Sequence, residues 1–168
     1  MGYVGHLLIL MAGTGLGVYG ARHLHRRTQF LQQTGGVLQA LLRLMTYTAR
    51  PMTELWRQLA QNEAYSGFSL VQDTAAGLMD APFVVAFAAA VERAAATGLL
   101  QPSGRQLLLE FGEGCGRYDL ARQEQHIRHY CARLAQLEEE ARHQAAVKGR
   151  ICPVLGMAGG AALALLLL

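Results

Sequence analysis

The sequence has almost no lysine, no paired cysteines and no formal side-chain charge near either end. Lys148 is the only lysine among 168 residues. No GxxxxGK[ST] run exists, which excludes a phosphate-binding loop of that kind. Cys115, Cys131 and Cys152 are scattered without a CxxC pair, so neither a zinc-type ligand set nor a disulfide frame is expected. They read as small apolar residues. Convincing β-type alternation is missing too, and the middle of the chain reads as helices punctuated by glycine and proline.

Charge is absent from both ends because all 15 Lys+Arg and all 12 Asp+Glu fall between Arg22 and Arg150. Residues 3–21 form an uncharged run containing His6, and residues 151–168 form a second. At about 1.5 Å per helical residue each reaches roughly 27–28 Å, close to the hydrocarbon thickness of a bilayer. Only Met1 and Gly2 precede the first run, whereas Arg22, His23, His25, Arg26 and Arg27 follow it. That order fits an uncleaved anchor rather than a signal peptide. Arg142, Lys148 and Arg150 precede the second run. Basic residues on the inner flank of both runs predict a two-pass topology, with the middle cytoplasmic and both termini outside. The expected division is a transmembrane helix over 1–21, a cytoplasmic helical domain over 22–150 and a transmembrane helix over 151–168.

The basic pI of about 9.0 belongs to these flanks. Without Arg22, Arg26, Arg27, Lys148 and Arg150, 10 basic residues face 12 acidic ones in 28–147. Nucleic acid is therefore not an expected partner.

About six helices are expected in the central domain. The first continues from the span to about Thr48, with Leu31, Thr34, Leu38, Leu41, Leu42 and Met45 along one side. Pro51 ends it and opens a second helix reaching about Asn62, with Met52, Leu55, Trp56 and Leu59 apolar. A short third helix runs to about Leu78. Asp80 is positioned to cap a fourth, alanine-rich helix that ends at Gly98 and is expected to be the most buried. A fifth starts near Ser103 and ends in the stretch Gly112–Gly116. The sixth starts at Asp119, an expected N-cap. Its apolar row is Leu120, Ile127, Tyr130, Leu134, Leu137, Ala141 and Ala145. Gly13 and Gly17 in the first span, and Gly156 and Gly160 in the second, are spaced for close helix packing.

The search for chemistry finds no catalytic, cofactor or metal site. Glycines 112, 114 and 116 alternate as in a dinucleotide fingerprint, but no strand precedes them, so a helix-ending turn is the expectation. His126 and His129 share a helix face without a completing acid, which favours surface histidines over ligands. His6 is either tolerated near the outer end of its span or handles protons. Trp56 is either a core residue or a partner-facing contact.

Several motifs then line up. A glycine-rich span is followed at once by basic residues, AGTGLGVYGARHLHRR. Tyr47, Pro51, Met52 and Glu54 fit Y-x-x-x-P-[LM]-x-E. Phe111, Gly112, Gly116, Asp119, Gln123, His126 and Ile127 fit FG-x-x-x-G-x-x-D-x-x-x-Q-x-x-H-I. Leu155, Gly156, Gly159 and Gly160 fit LGxxGG. With these the chain resembles the stage III sporulation protein AB family of endospore-forming bacteria over nearly its whole length. The resemblance implies a non-enzymatic component of the channel joining mother cell and forespore, in the mother-cell membrane around the forespore. It also implies a soluble domain similar to the inner-membrane platform domains of type II secretion and type IV pilus machines. The implied partners are membrane subunits of that complex and a cytoplasmic secretion-type ATPase, with no small-molecule substrate. Tyr47, Glu54, Trp56, Gln123 and His126 are the candidate partner contacts. Pro51, Gly112, Gly116 and Asp119 are candidate turn and cap residues. The competing expectation is a small oligomeric pore or transport-associated membrane protein.

Overall fold

The computed structural model describes the backbone over residues 2–48, 50–115 and 120–166, and side chains over 19–20, 22–48, 50–115 and 122–147. Among these residues the chain forms six α-helices and no strand: α1 Gly2–Thr48, α2 Met52–Ala60, α3 Ser69–Gly77, α4 Phe83–Ala96, α5 Pro102–Gly114 and α6 Leu120–Leu166. One 3-10 turn, Glu63–Tyr65, separates α2 from α3. Two compact units result. The first comprises 1–28 and 139–168, and the second 29–138.

Among the described residues no helix is long and apolar enough to cross a membrane. Residues 3–18 and 151–168, which hold nearly all of the two expected spans, have no described side chains. His6, Cys152 and the pairs Gly13/Gly17 and Gly156/Gly160 fall there. Gly116 and Asp119 lie outside the described residues altogether.

Prolines set where the helices of the second unit begin. Pro51 precedes α2 with φ −58° and ψ 147°, and its carbonyl accepts from the amides of Glu54 (3.0 Å) and Leu55 (3.1 Å). Pro82 does the same before α4, accepting from Val85 and Ala86 at 3.0 Å. Pro102 is the first residue of α5. Proline suits these positions because its φ is already helical and its missing N–H has no intrahelical acceptor there. Asp80 therefore does not cap α4. Its backbone N–H instead donates to the Gly77 carbonyl (3.2 Å) as α3 closes, and Pro82 holds the N-cap place. Likewise α2 stops at Ala60 rather than Asn62, because the Asn62 side chain accepts from the Ala64 amide (2.9 Å) to start the 3-10 turn.

The core of the second unit gathers round α4, where Phe83, Ala86, Phe87, Ala90, Val91 and Ala94 are buried at helical spacing. Small residues bring α3 close: a methyl group added at Gly77 would stand 2.9 Å from the Ala86 Cβ. Gly98 (φ 76°) ends the α4 turn in the left-handed region that glycine enters without strain. On α1, Phe30, Leu31, Thr34, Val37, Leu38, Leu41 and Met45 are buried. The buried Thr34 hydroxyl donates to the Phe30 carbonyl one turn back (2.8 Å). On α6, Ile127, Leu134 and Ala141, seven residues apart, are buried, while Tyr130 and Leu137 are only partly covered. The apolar row is thus narrower than the sequence suggests.

Candidate interaction surface

Trp56 is core. It is 1% exposed, and its indole N–H donates to the Val71 carbonyl (3.2 Å). Its ring meets Phe83 at 5.3 Å and Phe87 at 5.4 Å between centroids. A side chain enclosed in this way cannot present a contact to a partner, so the core reading replaces the partner-facing one. From Phe87 the ring contacts continue to Phe111 (5.7 Å), and from Phe111 to His126 (5.7 Å) and Tyr130 (5.6 Å).

That aromatic path ends where α5 meets α6. Phe111 is fully buried, and its carbonyl oxygen lies 3.1 Å from His126 Nε2. A carbonyl only accepts, so His126 carries a proton on Nε2 and donates it there. The His126 ring also lies 4.7 Å from that of Tyr130. Both contacts depend on glycines close to the end of α5, which stops at Gly114, within the stretch where the sequence leads one to expect it. A methyl group at Gly112 would fall 2.7 Å from Phe87 Cδ1, and a Cβ at Gly114 would collide with the His126 ring. Gly112 and Gly114 lie in the last turn of α5. Glycine is there because rings from α4 and α6 occupy the space of its missing side chain.

Gln123 is buried behind this corner, beside the Cys115 thiol. Burial pushes that thiol up to about 12, a rise that the neighbouring Gln123 amide only partly opposes. The thiol stays protonated and is a packing group, not a nucleophile. Gln123 thereby leaves the set of surface contacts. His126 remains partly exposed as one wall of an open groove of about 380 Å³, lined also by Arg122, Gln125, His129 and Tyr130.

Tyr47 and Glu54 are on the surface. Tyr47 is 86% exposed at the end of α1, and Glu54 pairs with Arg50 across 2.7 Å. Both flank Pro51. From there the chain runs back beside α1: Tyr65 donates to the Gly36 carbonyl (3.3 Å), and Phe68 meets Phe30 with centroids 5.2 Å apart. Trp56, early in α2, is two rings from His126. The α1–α2 corner thus carries an exposed tyrosine and an exposed ion pair, and the packing of α5 on α6 leaves a groove edged by Arg122, Gln125 and His129.

Among the described residues no group of three or more His, Cys, Asp or Glu is arranged to hold a metal ion. What the surface offers is recognition: aromatic area, amide and imidazole donors, and charges of both signs.

The family model for stage III sporulation protein AB matches residues 2–168. The chain belongs to the stage III sporulation protein AB family. A solved structure titled "Stage III sporulation protein AB (SpoIIIAB)" superposes with a TM-score of 0.59 at 22% identity, covering 71% of this chain and 96% of that one. At that identity the likeness is one of fold. No curated protein matches the chain. For the family motif, the described residues Phe111, Gly112 and His126 have a physical account in the close packing of α5 on α4 and α6. Sequence reasoning missed the part played by Gly114. Its one available signal was its place between two motif glycines on a helix that had not yet ended.

Proposed function

We propose that the protein is a membrane-anchored platform subunit of the sporulation complex, joining a cytoplasmic secretion-type ATPase to the membrane subunits of the mother cell–forespore channel. Family membership supports a role in sporulation. The coupling reading is supported by what the second unit exposes: Tyr47, the Arg50–Glu54 pair and the groove beside His126. An exposed aromatic beside charges of both signs is the composition of a docking surface. Residues 3–21 and 151–168 are the anchors, with the helical domain on the cytoplasmic side and both termini outside. The basic flanks support that orientation. The protein does no covalent chemistry in this role; it transmits force or position between partners.

Affinity capture of the full-length chain from detergent-solubilised sporulating cells tests the proposal. A hexameric secretion-type ATPase should be recovered with the membrane subunits, and Tyr47→Ala together with Glu54→Gln should deplete the ATPase while keeping those subunits. Capture without ATPase, or normal passage beyond engulfment in a deletion strain, overturns it.

A further inference from the structure

The charges of the first unit are sorted along its helices. No acidic residue precedes Glu54 and none follows Glu140. Within the unit, the Arg27 guanidinium donates to the Gln144 side chain (3.3 Å), which fixes the level at which α1 and α6 meet. Arg27 is turned inward and buried there. On the side of this contact that leads to the two apolar runs, neither helix carries an acid. α1 carries Arg22, His23, His25 and Arg26, and α6 carries Lys148 and Arg150. Arg22, His25 and Arg26 are exposed and three or four residues apart, so they share one face of α1. The same face continues with the exposed Gln29, Gln32 and Gln33, which are uncharged. The cationic stretch therefore begins beside the apolar run and stops within about a turn and a half.

We infer that this cationic band is a docking site for anionic lipid head groups, with Arg22 and Arg26 as its principal contacts. The inference rests on the membrane-anchored reading above and adds a lipid class to it. Three features argue for a membrane surface rather than a protein partner. The band is continuous with an apolar run of bilayer length, it is confined to the adjoining turns, and the nearest acid, Glu140, acts on the inward-turned Arg27, with none on either helix between that level and the apolar runs. Exposed guanidinium groups at that position form charge-assisted bonds to phosphate oxygens. Each basic residue near an anionic surface strengthens attraction about fivefold. The protein would thus gather phosphatidylglycerol or cardiolipin around its anchors and favour membrane regions rich in them.

The test uses the full-length chain reconstituted into phosphatidylcholine vesicles containing a minor share of phosphatidylglycerol. After gentle solubilisation, the lipid that co-purifies with the protein is quantified. Phosphatidylglycerol should be enriched over its bulk share, and inorganic phosphate should not displace it. Arg22→Gln and Arg26→Gln should each lower the enrichment about fivefold. Arg43→Gln, an exposed arginine of α1 outside the band, should leave it unchanged. Equal enrichment in the Arg22→Gln/Arg26→Gln double variant, displacement by phosphate, or no preference over phosphatidylcholine would overturn the inference. Alkaline carbonate extraction of the same vesicles separates the two readings. Protein lost from the membrane pellet defeats the anchored reading itself, whereas protein retained there without lipid enrichment defeats only the lipid inference.

Discussion

Replacing Gly112 by alanine tests the packing of the α4–α5–α6 corner. The new methyl carbon would stand 2.7 Å from Phe87 Cδ1 and 3.3 Å from Cε1, against an ordinary carbon contact of about 3.5–4.0 Å. The ring must therefore withdraw by about 1 Å. It has little room to do so, because Trp56 meets it at 5.4 Å, Phe83 stacks on it at 5.5 Å and Phe111 closes the third side at 5.7 Å. Overpacking of this kind costs about 1–3 kcal/mol. Removing a glycine from a helix returns at most about 1 kcal/mol, and less so close to the helix end. The expected net effect is a loss of about 1–2 kcal/mol, or several degrees in melting temperature. Thermal unfolding of the full-length protein followed by circular dichroism measures this. Trp56, the only tryptophan, reports the same event by fluorescence because it touches the displaced ring. Phe87→Leu in the Gly112→Ala background should recover part of the loss, giving a coupling term in a double-mutant cycle. A Gly112→Ala protein as stable as the parent, with additive behaviour in the cycle, would refute the close-packing argument and restore a simple helix-ending role.

Tyr47→Ala should change stability by less than about 0.5 kcal/mol, as for an exposed side chain, while reducing capture of the partner ATPase; a large fall in melting temperature would contradict its surface placement. Trp56→Phe should cost about 1 kcal/mol by removing the indole bond to the Val71 carbonyl, and unchanged urea unfolding would show that the bond contributes nothing. Cys115 has a folded-state pKa of about 12, above its ordinary value. Its contribution is therefore complete below about pH 9 and is lost as the pH rises from about 9 to 12, by up to about 1.4 kcal/mol per pH unit. Urea titrations at several alkaline pH values should show that decline in the parent and a shallower one in Cys115→Ala; parallel curves would exclude the linkage.

Much of the fold was legible because its punctuation is local. Pro51, Pro82 and Pro102 mark helix starts through backbone sterics that need no tertiary information. The alanine-rich run from Phe83 announced a helix that neighbours could approach closely. What stayed hidden was decided between helices. Asp80 carries the chemistry of a cap, but Pro82 already held that position, and Asp80 serves the end of α3 instead. Gly112 and Gly114 look the same in sequence whether they end a helix or admit a ring from another, and only the positions of Phe87 and His126 distinguish these. Gln123 and Trp56 were candidates for the surface because polar and aromatic residues are common there. Their burial is set by neighbours from other parts of the chain, such as Val71, whose carbonyl accepts from Trp56, at separations that sequence spacing does not reveal.

The close approach of Gly77 to Ala86, and of Gly112 to Phe87, limits how the protein can diverge. A larger residue at 86 finds no space unless α3 shifts, and position 77 is already at the minimum size. Neither member can grow by itself, so a descendant sequence can change these pairs only by moving whole helices together. Drift in the family should accordingly accumulate on exposed faces such as that of Gln29, Gln32 and Gln33. The small-residue contacts should stay fixed, or change in compensating pairs, even between homologues whose overall identity has fallen very low.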